Sequence, residues 1–253
     1  MWPLRGRTRA APDIAFLTDV GRRRDHNEDA GAAIVAEPGG GWGFDVALIV
    51  CDGVGGSARG EVASSTTVEH LRRSLSAPAA APIAERLRSA IAEADAEIRA
   101  YAERELEGVS VGTTVVVAAI AGRTATVAHA GDSRAYVIHG REITQVTADH
   151  SMLAEQIRAG IILPTEVRGH PLQGRITRAV GLGDGMRPDI GEVALSGGDV
   201  VLLCTDGLHG LVEDREIAAA VGTDLEESAR RLIGLANERG GTDNSTVAMC
   251  RVR

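Results

Sequence analysis

Apolar positions along the chain fall into two rhythms. In short runs they are almost continuous: VALIVC at 46–51, TTVVVAAI at 113–120, TATVAHA at 124–130, RAYVIHG at 134–140, DVVLLC at 199–204 and STVAMC at 245–250. Val-rich runs of this length, broken by glycine and polar residues, predict β-strands, several of them buried on both faces. The runs 113–120 and 124–130 are joined by Ala121-Gly122-Arg123, which predicts a hairpin. The second rhythm is helical. Between about 82 and 107, Ile83, Leu87, Ile91, Ala94, Ile98 and Tyr101 recur every three or four residues on a charged background, one apolar stripe on a helix. A helix over roughly 59–75 precedes it, separated by the loop SLSAPAAAP (74–82), and a third covers 225–239 with Leu225, Leu232 and Leu235 facing inward. The stretch 149–178 breaks the rhythm with a short helix, Pro164, Pro171 and glycines, and reads as an excursion on the surface. Layered sheets covered by helices are the architecture this alternation predicts.

Composition narrows the chemistry. At 253 residues, 44% hydrophobic and 25% charged, the chain suits one large soluble domain. Aromatics are only 2%, so the core must come from Val, Ile, Leu and Ala. All 27 basic residues are arginine, which removes a P-loop lysine, a kinase lysine and Schiff-base chemistry together. A net charge of −8 argues against nucleic acid and is compatible with clustered carboxylates that need cations. The start, MWPLRGRTRAAPD, lacks the apolar segment of a signal peptide, and the apolar runs are too short to span a bilayer. Cys51, Cys204 and Cys250 are odd in number and lie in apolar runs, as buried free thiols of a reducing cytosol do. A cysteine-dependent phosphatase would carry an arginine six positions after its cysteine; Ser57 and Gly210 stand there instead, so core packing is the better reading.

The aspartates carry the functional signal. Asp52 closes VALIVC, Asp132 follows TVAHAG, Asp206 follows VVLLCT, and Asp243 precedes NSTVAMC. Each alone reads as a turn residue or a helix cap. Together they can converge on one pole of packed sheets, where they would repel one another unless protonated or neutralised. Oxygen-only ligands favour a hard ion, Mg²⁺ or Mn²⁺ rather than Zn²⁺. Several aspartates can hold two such ions about 3.5–4 Å apart around a shared water. Glycines in DGVGG (52–56) and DGLHG (206–210) leave room for a backbone carbonyl to approach a metal and for substrate to enter. Upstream, GRRRDHNEDA (21–30) sets arginines against Asp25, Glu28 and Asp29. Arg24 and Glu28 lie four apart, which puts them on one face of a strand or a helix. The guanidinium fork suits a phosphate dianion, while the acids beside it bind water on the metals; Arg22 and Arg23 read as surface charges.

These segments, in this order, resemble the metal-dependent serine/threonine protein phosphatases, the protein phosphatase 2C-like family, of bacterial type. The matching stretches are RDHNEDA (24–30), CDGVGGSARGEVAS (51–64), VGTTVVVA (111–118), AHAGDSRAYVI (128–138), TADHS (147–151), HPLQGRITRAVG (170–181), LLCTDGL (202–208) and GGTDNSTVAM (240–249). The resemblance implies a catalytic domain over 13–253 after a tail over 1–12. It implies an α+β fold, a four-layer α-β-β-α sandwich of two antiparallel sheets flanked by helix pairs, with a flap at about 149–178. Two Mn²⁺ or Mg²⁺ ions and a weaker third follow from it. Asp52 would bridge two ions and orient the water between them, and the Gly53 carbonyl would contact one. Asp206 and Asp243 would complete the other, Asp132 would help hold the third, and Glu28 and Asp29 would act through metal-bound waters. Arg24 would hold the phosphate. Substrates would be phosphoserine and phosphothreonine proteins, opposing a cognate kinase, in a cytoplasmic monomer. In-line attack by the bridging water needs no phosphoenzyme.

One position departs from part of the family. Animal relatives carry a histidine after the Asp-Gly pair, proposed to protonate the leaving oxygen; Val54 stands here, as bacterial members also commonly lack that histidine. His209 is a candidate acid, against a structural reading, while His129, His150 and His170 read as packing or hydrogen-bonding groups. Two other functions compete: a catalytically silent regulatory binding module, and a phosphatase devoted to an anti-anti-sigma factor. The first would show a lost metal aspartate or phosphate arginine, and none is missing. The intact RDHNED segment and the absence of an attached sensor domain count against the second.

Overall fold

A computed structural model describes residues 11–37, 39–54, 59–166, 170–183 and 185–253, so the tail expected over 1–12 lies outside the described residues but for Ala11 and Pro12. The chain runs β1 (Asp13–Asp19), β2 (Asp29–Val35), β3 (Val46–Val54), α1 (Gly60–Leu75), α2 (Ile83–Glu105), β4 (Gly112–Thr113), β5 (Val115–Ala121), β6 (Thr124–Ala130), β7 (Arg134–His139) and β8 (Glu142–Gln145). It continues with α3 (Met152–Arg158), β9 (Asp189–Ala194), β10 (Val200–Cys204), α4 (Asp206–His209), α5 (Asp214–Ala220), α6 (Leu225–Glu238) and β11 (Ser245–Arg251).

Two antiparallel sheets form. One has the order β1-β11-β10-β7-β8, the other β2-β3-β5-β6-β9, with β4 paired to β3. Why the central strands are apolar throughout follows from the alternation of their side chains. On β3, Val46, Leu48 and Val50 join Val116, Leu203 and Ala248 between the two sheets. Ala47, Ile49 and Cys51, on the opposite face, pack under α1 and α2 with Leu71, Leu87 and Ile91. Beyond the other sheet, Tyr136, Leu202, Cys204 and Met249 pack against Leu225, Leu232 and Ile233 of α6. Three cores between four layers make the α-β-β-α sandwich. Each fully buried Leu or Ile contributes roughly 1.5–3 kcal/mol of transfer free energy, so aromatics are dispensable here. All three cysteines are buried free thiols within these cores.

The helices and central strands lie within a few residues of their expected places. The run predicted over 113–120 is divided: Thr114 interrupts it, turning its backbone N–H to the Asp52 carbonyl at 2.8 Å. β1, β2, β8 and β9 have no counterpart among the predicted runs. They form the four sheet edges, where one side lacks a neighbour and residues such as Ala32 or Glu192 are tolerated, while Gly31 leaves room for the Phe16 ring and the Ile49 carbonyl. The excursion at 149–178 contains α3 and a 3-10 turn at Pro164–Glu166, with residues 167–169 outside the described part. Its two ends are pinned together: Met152 N–H donates to the Arg175 carbonyl and Thr177 N–H to the His150 carbonyl, both at 2.8 Å. Among the described residues no helix is long and apolar enough to cross a membrane.

Candidate active site

Strand ends of both sheets meet at one pole. β3 delivers Asp52, and the β6–β7 turn delivers Asp132 beside Gly131, whose positive φ of 109° a side chain would resist. From the other sheet, β10 ends just before Asp206 at the start of α4, and Asp243 lies in the turn before β11. Asp29 opens β2 directly opposite Asp52 in the ladder. These five carboxylates sense one another. Burial, then Asp29, Asp206, Asp132 and Asp243, push Asp52 well above the ordinary carboxylate range. Burial first, with the neighbouring aspartates second, raises Asp29 to about 7, Asp132 to about 8 and Asp206 to about 6. Such a gathering of acids stands ready for cations.

The donor set fits hard divalent ions. It consists of oxygens alone, and Asp29 Oδ1 is a buried oxygen with no hydrogen-bond partner. Its twin, Oδ2, accepts from Thr246 Oγ1 at 2.6 Å and Thr205 Oγ1 at 3.0 Å. Among the described residues, the three-residue group with ligating atoms all within 4.8 Å of one another is a different one, His129, His150 and Asp189. The aspartates do not form so tight a three-residue group, although Asp52 and Asp206 lie within hydrogen-bonding reach of each other. The histidine group does not suit a metal in this geometry. Its two rings are stacked 4.7 Å apart and 6° from parallel, so no point lies in both imidazole planes. His150 Nδ1 accepts the Gly131 N–H at 3.2 Å, which leaves its Nε2–H to donate to Asp189 at 3.2 Å. Hydrogen bonding and packing remain the role of His129 and His150.

Arg24 and Glu28 do not share a face of a regular element: residues 21–28 form turns and irregular chain, because the segment must swing from one sheet to the other. Arg24 is exposed and donates to Asp243 Oδ2 at 2.7 Å, with Glu28 and Asp52 near enough to raise its pKa further after that contact. Glu28 turns inward instead. Its Oε1 accepts from Gly60 N–H at 3.3 Å and so caps α1, where a carboxylate meets the positive end of the helix. Asn244 holds this loop in place: Oδ1 accepts from Glu28 N–H, and Nδ2 donates to the carbonyls of Val20 and His26 at 2.9 and 3.0 Å. Sequence reasoning passed over Asn244; an amide following a strand-end aspartate is the signal that marks it. It also passed over Thr114, whose hydroxyl accepts from Asp52 N–H at 2.9 Å and bonds Ser133 Oγ at 2.7 Å, tying Asp52 to the Asp132 turn.

The glycines serve backbone packing. A Cβ on Gly53 would lie 2.4 Å from Gly60, and one on Gly207 would lie 1.9 Å from the Asn244 carbonyl. Gly55 and Gly56 lie outside the described residues. His209 Nε2 donates to the Asp132 carbonyl at 2.9 Å, and burial with the nearby Arg134 cation pushes its pKa down to about 3. That neutral, engaged imidazole supports the structural reading of His209. A cleft of about 540 Å³ opens over Asp132, Asp206 and Asp243 and runs between α3 and the 206–213 segment.

The family profile described as Protein phosphatase 2C matches residues 20–245. The serine/threonine phosphatase stp of Listeria monocytogenes is 35% identical over 240 residues, spanning 92% of this chain and 93% of that protein. Among solved structures, the Mycobacterium tuberculosis serine/threonine phosphatase PstP/Ppp superposes with a TM-score of 0.85 at 33% identity, covering 95% of this chain and 98% of that one. The PstP catalytic domain in complex with two manganese ions gives a TM-score of 0.82 at 32% identity, covering 94% and 96%. The sandwich with acids at one pole is thus a phosphatase fold, and the chain belongs to the protein phosphatase 2C family of metal-dependent serine/threonine phosphatases.

Proposed function

We propose that residues 13–253 act as one catalytic domain, with 149–178 as its flap, and that two Mn²⁺ or Mg²⁺ ions with a weaker third serve it. The observation that carries this reading is the meeting of Asp29, Asp52, Asp132, Asp206 and Asp243 from both sheets, each of the first four with its carboxyl pushed upward by burial and by other acids. Asp52, the Gly53 carbonyl, Asp206 and Asp243 would hold the principal ions, Asp132 the third, and Glu28 and Asp29 would act through water. When bound, such ions supply an activated water at neutral pH and neutralise charge on the phosphoryl group. Arg24, exposed beside Asp243, binds and orients the phosphate of a phosphoserine or phosphothreonine segment lying in the cleft. Asp52 would orient the attacking water through the ions it holds. Val54 cannot donate a proton and the His209 imidazole is engaged with the Asp132 carbonyl, which favours water over His209 as the group that protonates the leaving oxygen. Phosphoproteins are the substrates, with a bacterial Ser/Thr kinase opposing the reaction, and the chain works as a cytoplasmic monomer.

Mn²⁺ stoichiometry and affinity, measured by electron paramagnetic resonance, test the residue assignments. Asp52→Asn, Asp206→Asn and Asp243→Asn should each lose at least one ion while keeping the far-UV circular dichroism of the parent. Undiminished binding in any of them would remove that residue from the centre.

A further inference from the structure

We propose that Thr246 and Thr205 are positioning residues that lock the Asp29 carboxylate so that its unpartnered oxygen, Oδ1, faces the ions. This rests on the reading of Asp29 as part of the metal centre.

The bonds on either side fix the direction of the hydroxyl string that reaches Asp29. Asn27 Oδ1 accepts the Asp29 N–H at 3.1 Å, so the Asn27 amide nitrogen is the end that faces Thr18, to whose Oγ1 it donates at 2.8 Å. A hydroxyl has one proton to give. Thr18 therefore donates onward to Thr246 Oγ1 at 2.8 Å, and Thr246 donates to Asp29 Oδ2 at 2.6 Å. From the other side, Thr205 Oγ1 accepts the Thr246 backbone N–H at 3.0 Å and donates to the same Oδ2 at 3.0 Å. Two hydroxyls aimed at one carboxylate oxygen fix the rotation of the group. The remaining oxygen is left buried and without a partner.

Simple cross-linking of the sheets would not leave that pattern. Thr246, in β11, and Thr205, directly after β10, are fully buried on the side of one sheet, while Asp29 belongs to the other. A bond made only to join the sheets would share donors between both oxygens, because an orphaned buried acceptor is costly. Here both donors crowd onto Oδ2, and Oδ1 is kept free. Residues that orient a metal-binding carboxylate through its second oxygen typically alter affinity by about 10–100-fold when lost.

The test is Mn²⁺ binding by electron paramagnetic resonance on the whole chain, with the metal-free melting temperature recorded beside it. Asp29→Asn comes first: unchanged Mn²⁺ affinity in that variant would overturn the reading of Asp29 on which the proposal stands. Given a weakened Asp29→Asn, Thr246→Val should weaken Mn²⁺ binding at least about tenfold, and Thr246→Ser, which keeps the hydroxyl and loses the methyl, should restore it to within about threefold of the parent. Parental affinity in Thr246→Val, or failure of Thr246→Ser to recover it, would make these threonines packing residues and overturn the proposal. Should Thr246→Val not fold, Thr205→Val and Thr205→Ser, which leave the Asn27–Thr18–Thr246 string intact, decide by the same criterion.

Discussion

Replacing Asp132 with asparagine should stabilise the metal-free protein, and only at neutral pH. Asp132 is 7% exposed, and burial, Asp206 and Asp149 raise its carboxyl from the ordinary 3.8 to about 8. A raised acid favours the folded state below the unfolded pKa and loses that advantage as pH climbs, because the unfolded chain gives up its proton first. At pH ~7.5 the folded state forgoes up to about 5 kcal/mol, at ~1.4 kcal/mol per pH step above 3.8. Relaxation and shared protons among coupled acids reduce this to roughly 2–4 kcal/mol. At pH ~4.5 the same reckoning leaves about 1 kcal/mol or less. Asparagine keeps the shape and the backbone carbonyl that His209 bonds, but carries no charge. With ~2–4 °C per kcal/mol for a domain of this size, Asp132→Asn should melt roughly 5–15 °C above the parent at pH ~7.5 in EDTA, and within about 4 °C at pH ~4.5. Differential scanning calorimetry at both pH values provides the comparison. An equal or lower melting temperature at neutral pH, or a gain that does not change with pH, would refute the argument that these acids strain the metal-free fold.

Three further outcomes can be checked. Arg24→Ala should raise KM for a phosphopeptide about tenfold or more while leaving the melting temperature nearly unchanged, since an exposed pair with Asp243 contributes at most about 1 kcal/mol; unaltered kinetics would make Arg24 a surface charge. Gly207→Ala should cost about 3 kcal/mol or more, seen in urea unfolding, because its Cβ would sit 1.9 Å from the Asn244 carbonyl. A variant as stable as the parent would mean that this approach of α4 to β11 yields readily. His209→Gln, whose amide can still donate to the Asp132 carbonyl, should keep kcat within about tenfold of the parent, less than the usual general-acid contribution. A loss beyond a hundredfold, with an altered alkaline limb of the pH profile, would make the imidazole the missing acid.

What could be read from the residues beforehand was whatever depends on local pattern. The stripe of Leu87, Ile91, Ala94 and Ile98 predicts α2 because a helix repeats its buried face every three to four residues, and all four are buried. Asp52 and Asp206 stood out because an acid at the end of an apolar run is unusual wherever the run goes. Other features depend on partners far away in the chain. The Thr246–Asp29 hydrogen bond spans 217 positions, and Asn244 reaches back 224 to Val20. A threonine inside a strand looks like any β-branched residue until its partner is known. β2 escaped notice because Asp29-Ala-Gly-Ala-Ala has little strand propensity; its pairing with β3 decides its conformation. Spacing alone puts Arg24 and Glu28 on one face, yet the turn between sheets sends one to solvent and the other to the N-terminus of α1.

The central claim is that metal held by strand-end aspartates hydrolyses phosphoserine and phosphothreonine, and the most direct measurement is phosphate release from a phosphothreonine peptide. It should proceed with Mn²⁺, stop in EDTA, return when Mn²⁺ is restored, and be abolished in Asp206→Asn. Turnover that persists in EDTA or in Asp206→Asn would contradict the account, as would no turnover by a folded, Mn²⁺-loaded protein, which would leave the catalytically silent binding module as the better description.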